Sequence, residues 1–312
     1  MKRLVLAYAG LLAIGAAWGL SAPVIRYATG TGFGAVTILL VQSAVNVVAL
    51  GLFLAATGRL HRLPLDGAHL RLYAVVGLCG IALPGLASYS ATTHLPAGII
   101  SIVISLVPLF ALPLALALGT ERFDARRLGG VGLGAVAMAL LIGPDASLPD
   151  PAAWVWVPLA ALAPLFYAVE GAYVYASRAC KADLLQTLWA GYAIGLAILV
   201  PLAVVAPEPL WPDRISGLAV AGFVISGFLG ISAYAGYLFL LRNTGAVFGA
   251  QVAYTVTGMG IVWSMSLLGE RYAVWVWAAL GLLFTGLFLV QPRGVVSEVA
   301  ADLAAGEGNG VV

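Results

Sequence analysis

Ten stretches of this chain stay apolar for long enough that water cannot be their main solvent. A bilayer-spanning helix takes roughly 20 mainly apolar residues. Windows of that kind fall at 4–28, 34–56, 72–90, 98–118, 128–142, 153–175, 184–205, 215–240, 246–267 and 273–290. The fifth is short for a full crossing and would rely on interfacial anchoring or local thinning. Hydrophobic residues make up 62% of the chain and charged ones 9%, where a soluble domain carries about 25% charge. That excludes a water-soluble fold, and disorder as well, which needs the opposite balance. A net charge of +2 over 312 residues offers no basic face for nucleic acid.

The spans are expected to be helices, because membrane strands would alternate in polarity and these runs do not. Lys2 and Arg3 precede an apolar run too long for a cleaved signal peptide, and nine more follow, so the first helix is read as retained. Basic residues set the orientation. With the N-terminus in the cytoplasm, Lys2, Arg3, Arg59, Arg62, Arg71, Arg122, Arg126, Arg127, Arg178, Lys181, Arg242 and Arg293 fall inside. Only Arg26, Arg214 and Arg271 fall outside. Twelve against three predicts a multi-pass chain with both termini inside. Cys79 and Cys180 are not placed to pair, and His61, His69 and His94 lie in loops or at span ends. No metal site or cofactor is expected.

A shift of 149 residues lays 97–141 on 246–290 and sets Glu270-Arg271 over Glu121-Arg122. It also sets Tyr167 over Trp18. Each half then holds five spans, and an odd number inverts the second half relative to the first. Two oppositely oriented repeats are the pattern of alternating-access carriers, with substrate near the midplane between them.

The residues at these positions resemble the ten-helix EamA-like transporters of the drug/metabolite transporter superfamily. The resemblance covers about residues 5–291. It rests on Ala16-Ala17-Trp18-Gly19, Pro96-Ala97-Gly98, Ser105-Leu106-Val107-Pro108-Leu109-Phe110 and Gly119-Thr120-Glu121-Arg122 in the first half. In the second half it rests on Tyr234-Ala235-Gly236-Tyr237, Leu240-Leu241-Arg242-Asn243-Thr244-Gly245-Ala246 and Leu267-Leu268-Gly269-Glu270-Arg271. It implies an all-α polytopic fold of two inverted five-helix EamA repeats, at 1–143 and 153–291. An outside linker at 144–152 would join them, and 292–312 would form a disordered cytoplasmic tail. It also implies movement of a small metabolite, often export of amino acids, with the fifth and tenth helices peripheral.

Of 13 carboxylates, twelve fall in loops or tails. The exception is Glu170, 17 residues into the sixth span, about 26 Å from its outer end. A charge there costs about 2.5–3.5 kcal/mol or more and usually marks a pathway. Glu170 is read as a partner for an amine-bearing substrate or as a proton carrier. The alternative is a protonated carboxyl bonded to a neighbouring helix, or one reaching to the interface. Tyr167 and Tyr173 flank it at i−3 and i+3, where hydroxyls or rings could serve it. Trp18 sits about 21 Å along the first span, its indole N–H wanting a partner, with Ser21 nearly one turn on.

In the fourth span Ser101, Ser105 and Pro108 share a face, where Pro frees a carbonyl beside the serines. Serines in spans also often bond back to their own turn. In the ninth span Gln251, Tyr254 and Thr255 cluster, and the shift lays Tyr254 on Ser105. Tyr234 and Tyr237 line the eighth. Gln42 and Asn46, at i,i+4 in the second, read as interhelical glue. The substrate-site candidates are therefore Glu170, Tyr167, Trp18, Ser21, Ser105, Tyr254, Gln251, Tyr237 and Tyr234.

Together these residues predict an inner-membrane secondary transporter, exporting an amino acid or related amine. An importer or a broad-specificity drug or cation exporter of the same fold is the alternative. The partners are a small molecule and the lipid bilayer, and a homodimer is left open. No phosphate-binding glycine loop occurs, so coupling to ATP within the chain is excluded. A channel is the next reading. An intramembrane enzyme would need paired carboxylates, or Ser with His, within spans.

Overall fold

The computed structural model describes residues 2–117, 123–142, 150–177, 182–205, 210–250 and 252–290, with backbone alone at 2–7, 142, 151, 175–176 and 237–250. Among these the chain is helical, without strands. The first half holds α1 (Lys2–Gly19), α2 (Ser21–Gly30), α3 (Ala35–Ala56), α4 (Gly67–Val75), a π-helical stretch (Val76–Ala82) and α5 (Leu83–Thr92). It continues with α6 (Ala97–Ile104), α7 (Val107–Ala117) and α8 (Ala125–Ile142). The second half holds α9 (Trp156–Ala176), α10 (Leu184–Val205), α11 (Gly217–Ala250), α12 (Val252–Leu268) and α13 (Val274–Val290). Seven helical stretches are long and apolar enough to cross a membrane, and α12 and α13 are apolar but shorter.

Proline explains where the long stretches break. Pro23 has no N–H for the Gly19 carbonyl, and α1 gives way to α2 at Leu20. Pro84 has none for the Gly80 carbonyl, and the turn before it winds as a π-helix, with Leu83 N–H bonding back five residues to Leu78 O. Pro108 leaves Ile104 O undonated, and α6 tightens at its end through Ser105 N–H to Ile102 O (3.2 Å) before α7 resumes. No proline lies between 213 and 291. Accordingly α11 runs to Ala250, through the loop expected at 241–245. The predicted linker and tail fall largely or wholly outside the described residues.

The surface fits lipid rather than water. Leu52, Leu218 and Val204 are 68%, 70% and 79% exposed, and large exposed apolar side chains of this kind cover the outer helix faces. Such a surface exceeds what a soluble monomer tolerates.

Inside the bundle α1 packs on α11 and α12, α9 packs on α5, α6 and α7, α3 packs on α10 and α11, and α8 packs on α13. Apolar burial adds little between helices already in lipid, so close backbone approach through small residues matters more. A β-carbon on Gly19 would lie 2.7 Å from Gly260 N, and one on Gly77 would lie 2.9 Å from Gly191 O. Those two contacts bring α1 to α12 and the π stretch to α10.

α3 and α10 run antiparallel and are tied at both ends. At one end Thr37 Oγ donates to Leu210 O (2.7 Å). At the other, Gln186 Nε2 donates to Arg59 O (2.7 Å), and Arg59 pairs with Asp183. Asp183 Oδ1 also caps α10, accepting from Leu185 N–H (3.0 Å) and Gln186 N–H (3.2 Å). The ion pair is partly exposed, so the cap outweighs it. Asp183→Ala is expected to cost about 1 kcal/mol and Asp183→Asn clearly less, read as melting midpoints in detergent.

Candidate functional site

Tyr167 and Glu170 stand one turn apart on α9 and so share a face. That face meets α5 and the π stretch. The Glu170 carboxylate rests directly on Gly80: a β-carbon there would lie 2.5 Å from Oε1 and 2.6 Å from Cδ. Only glycine leaves room for it. Cys79, on the same stretch, lies within electrostatic reach of Glu170.

Two tyrosines, from α9 and α10, stand by the carboxylate, and a third, Tyr89 of α5, stands by both of them. Tyr167 interacts electrostatically with Glu170, Tyr89 of α5 and Tyr192 of α10, and Tyr192 also with Glu170. Behind them α3 supplies two amides. Tyr89 OH donates to Gln42 Oε1 (2.7 Å), and Gln42 Nε2 donates to Phe223 O (2.9 Å) on α11. Asn46 lies beside the Tyr192 hydroxyl. Its Oδ1 is buried without a partner and faces Gly227 of α11. No described residue hydrogen-bonds the Glu170 carboxylate. Among the described side chains no Arg or His pairs with Glu170. The Glu170 side chain is half-buried, and a carboxylate in a span without donors is costly unless a proton or a ligand meets it.

The other sequence candidates fall into separate groups by packing partner. Trp18 meets Tyr234 edge-on, with ring centroids 6.0 Å apart, between α1 and α11. Tyr254 meets Phe284 edge-on at 5.2 Å, against a core cluster of α6, α7, α8 and α13. Ser105 is buried and its hydroxyl donates to Ile102 O (2.7 Å); Ser101 does the same to Ala97 O (3.1 Å). Ser21 opens α2 and is half-buried. Tyr173 packs with Leu72 and Val76. Gln251 and the Tyr237 side chain lie outside the described residues.

A second polar locus sits at one end of the bundle. Gly269, at φ +68°, ends α12 in the left-handed conformation glycine favours. The turn carries Glu270 onto the start of α6, where it accepts from Ala97 N–H (2.9 Å) and Gly98 N–H (3.2 Å). These are free N–H groups at a helix N-terminus, where an anion is favoured. Tyr272 OH donates to Glu270, and burial, then that bond, holds the hydroxyl above its ordinary range. Beside them lies an open cleft of about 380 Å³ lined by Arg26, Tyr27, Gly30, Thr31, Leu268 and Glu270. Arg26 Nη1 is committed to the carbonyls of Thr92 and Thr93 (2.7 Å each).

Sequence reasoning missed Tyr89, Tyr192 and Gly80. Tyr192 carried one signal: it follows Gly191, whose missing side chain lets α10 reach Val76. Tyr89 and Gly80 carried none beyond their place around Pro84.

Comparisons with known proteins agree with this architecture. Residues 5–143 match the EamA-like transporter family. The chain is 25% identical over 279 residues to the uncharacterized inner membrane transporter YedA of Escherichia coli strain K12, covering 85% of this chain and 88% of that one. The YedA proteins of Escherichia coli O6:H1 and O157:H7 match equally. A solved crystal structure superimposes with a TM-score of 0.61 at 16% identity, covering 91% of this chain and 96% of its own, which speaks to the fold alone.

Proposed function

We propose that this chain is an EamA-like transporter, the family whose model matches residues 5–143, and that it moves a small amphipathic metabolite by alternating access. It is a multi-pass protein of the inner membrane, as its relative is named. Export of an amino acid or related amine is the direction and class we favour.

Support for two exchanging halves comes from the packing. The partners of α1, which are α11 and α12, correspond under the 149-residue shift to the partners of α9, which are α5 with α6 and α7. The contact of α3 with α11 likewise corresponds to that of α10 with the π stretch. Pairs α3–α10 and α8–α13 map onto themselves. Two halves related this way can trade conformations, opening a midplane site first to one side and then to the other.

The observation that carries the proposal is the Glu170 carboxylate. It rests on Gly80 of the other half beside Tyr167 and Tyr192, and no described group hydrogen-bonds it. The same shift sets Ser21 at its equivalent place in the first half, so charge recognition rests with one repeat. In the N-in orientation Glu170 lies toward the cytoplasmic side, suited to an ammonium group arriving from inside.

Counterflow in proteoliposomes tests this. Saturable exchange of labelled amines or amino acids is expected, with Glu170→Gln reducing it about tenfold or more, the worth of one charge-assisted contact. An unchanged rate, selectivity and pH dependence would remove Glu170 from the mechanism. A continuous, unsaturable conductance would replace the carrier with a channel.

A further inference from the structure

We infer that the ligand head group held at Glu170 is a cation with N–H donors and no carboxylate beside it, so that amines and guanidines are carried and α-amino acids are not. The inference rests on the transporter reading above and narrows its substrate class.

Three features carry it. First, the charge is uncompensated: Glu170 is the acceptor, no described side chain bonds it, and no described Arg or His reaches it. Second, the polar groups nearby include unmatched acceptors: the carboxylate itself and the buried Asn46 Oδ1, which has no donor. The Tyr89 hydroxyl and Gln42 Nε2 are engaged with Gln42 Oε1 and Phe223 O, and the hydroxyls of Tyr167 and Tyr192 are the neutral donors beside the carboxylate. Third, the walls are aromatic. Tyr89, Tyr167 and Tyr192 stand within electrostatic reach of one another, and Tyr167 and Tyr192 also of Glu170, and ring faces attract a desolvated cation.

An amino acid would meet the opposite of what it needs. Its ammonium could reach Glu170, but its carboxylate would lie two bonds away, within about 4–6 Å of a like charge. Only the single O–H groups of Tyr167 and Tyr192 could receive it, with no cation in support. Like charges at that separation in a site shielded from water disfavour binding strongly.

Decarboxylation pairs test the idea on the wild-type protein. Phenethylamine is compared with phenylalanine, and isobutylamine with valine, by thermal stabilisation in detergent and by counterflow. Each amine is expected to act at concentrations at least about tenfold below its amino acid, with the stabilisation lost in Glu170→Gln. Equal or better action of the amino acids overturns the inference while leaving the carrier reading intact. Amine stabilisation that survives in Glu170→Gln overturns it too, because the head group would then sit elsewhere. Counterflow of none of the four compounds overturns both. The wild-type pairs decide between the classes even where the variant fails to fold.

Discussion

Gly80→Ala is expected to cut transport about tenfold or more and leave the fold in place. The added β-carbon would lie 2.5 Å from Glu170 Oε1, 2.6 Å from Cδ and 2.8 Å from Oε2, closer than packed atoms allow. What must give way is the end of a side chain, not the backbone of α9, so the helices can stay where they are. The carboxylate is then driven off the position from which it faces Tyr167 and Tyr192. Losing one charge-assisted contact of about 1.5–3 kcal/mol corresponds to a ten- to more than hundredfold loss in affinity, at about 1.4 kcal/mol per tenfold. Gly171, the residue after Glu170, supplies the control. A β-carbon there meets nothing within 4 Å, so Gly171→Ala should transport at the wild-type rate. Ligand-induced stabilisation and counterflow, measured beside the melting midpoint of the unliganded protein, check both. Wild-type transport by Gly80→Ala would mean that Glu170 does not need its position.

The contrast between these two glycines also shows how far the residues could be read in advance. Glu170 stood out because a carboxylate in an apolar span has no ordinary reason to be there. Tyr167 followed from its helical spacing. Gly80 is one of 38 glycines, and what distinguishes it is a side chain 90 positions away. Tyr89 and Tyr192 look like any tyrosine in a span until α5 and α10 are folded against α9. The helix breaks at Pro84 and Pro108 were legible as lost N–H donors, but whether a break yields a π turn or a tightened helix end depends on what packs beside it. The long α11 was not legible. The Arg242–Gly245 stretch looks like a loop by polarity, yet it contains no proline to stop a helix. The Glu270-Arg271 pair was visible as a repeated pattern, while the purpose of its glutamate, carried by the Gly269 turn onto the first N–H groups of α6, needed the fold.

Gly130→Val and Gly286→Val are expected to do the reverse of Gly80→Ala, lowering stability while the folded protein still binds. The two glycines face each other across the α8–α13 contact. A β-carbon on Gly130 would lie 2.6 Å from Gly286 O, and one on Gly286 would lie 2.6 Å from Gly130 O. The obstruction here is backbone, with no flexible end to swing aside, so the helices must part along their length. Parting also strains Arg127 Nε–Val290 O (3.0 Å) at one end of the pair. Overpacking of this kind costs about 1–3 kcal/mol per site. In lipid, little apolar burial pulls the helices back together. The two changes act on one contact, so the double variant should lose less than the singles together. Gly129 and Gly132, on the same helix with nothing within 4 Å of a β-carbon, should accept alanine without loss. Melting midpoints in detergent read the stability, and ligand affinity per folded molecule reads the site. The expected result is a lowered midpoint with unchanged affinity, because α8 and α13 supply none of the residues found around Glu170. A parallel loss of affinity would tie this helix pair to the site and make it part of the machinery that opens and closes it.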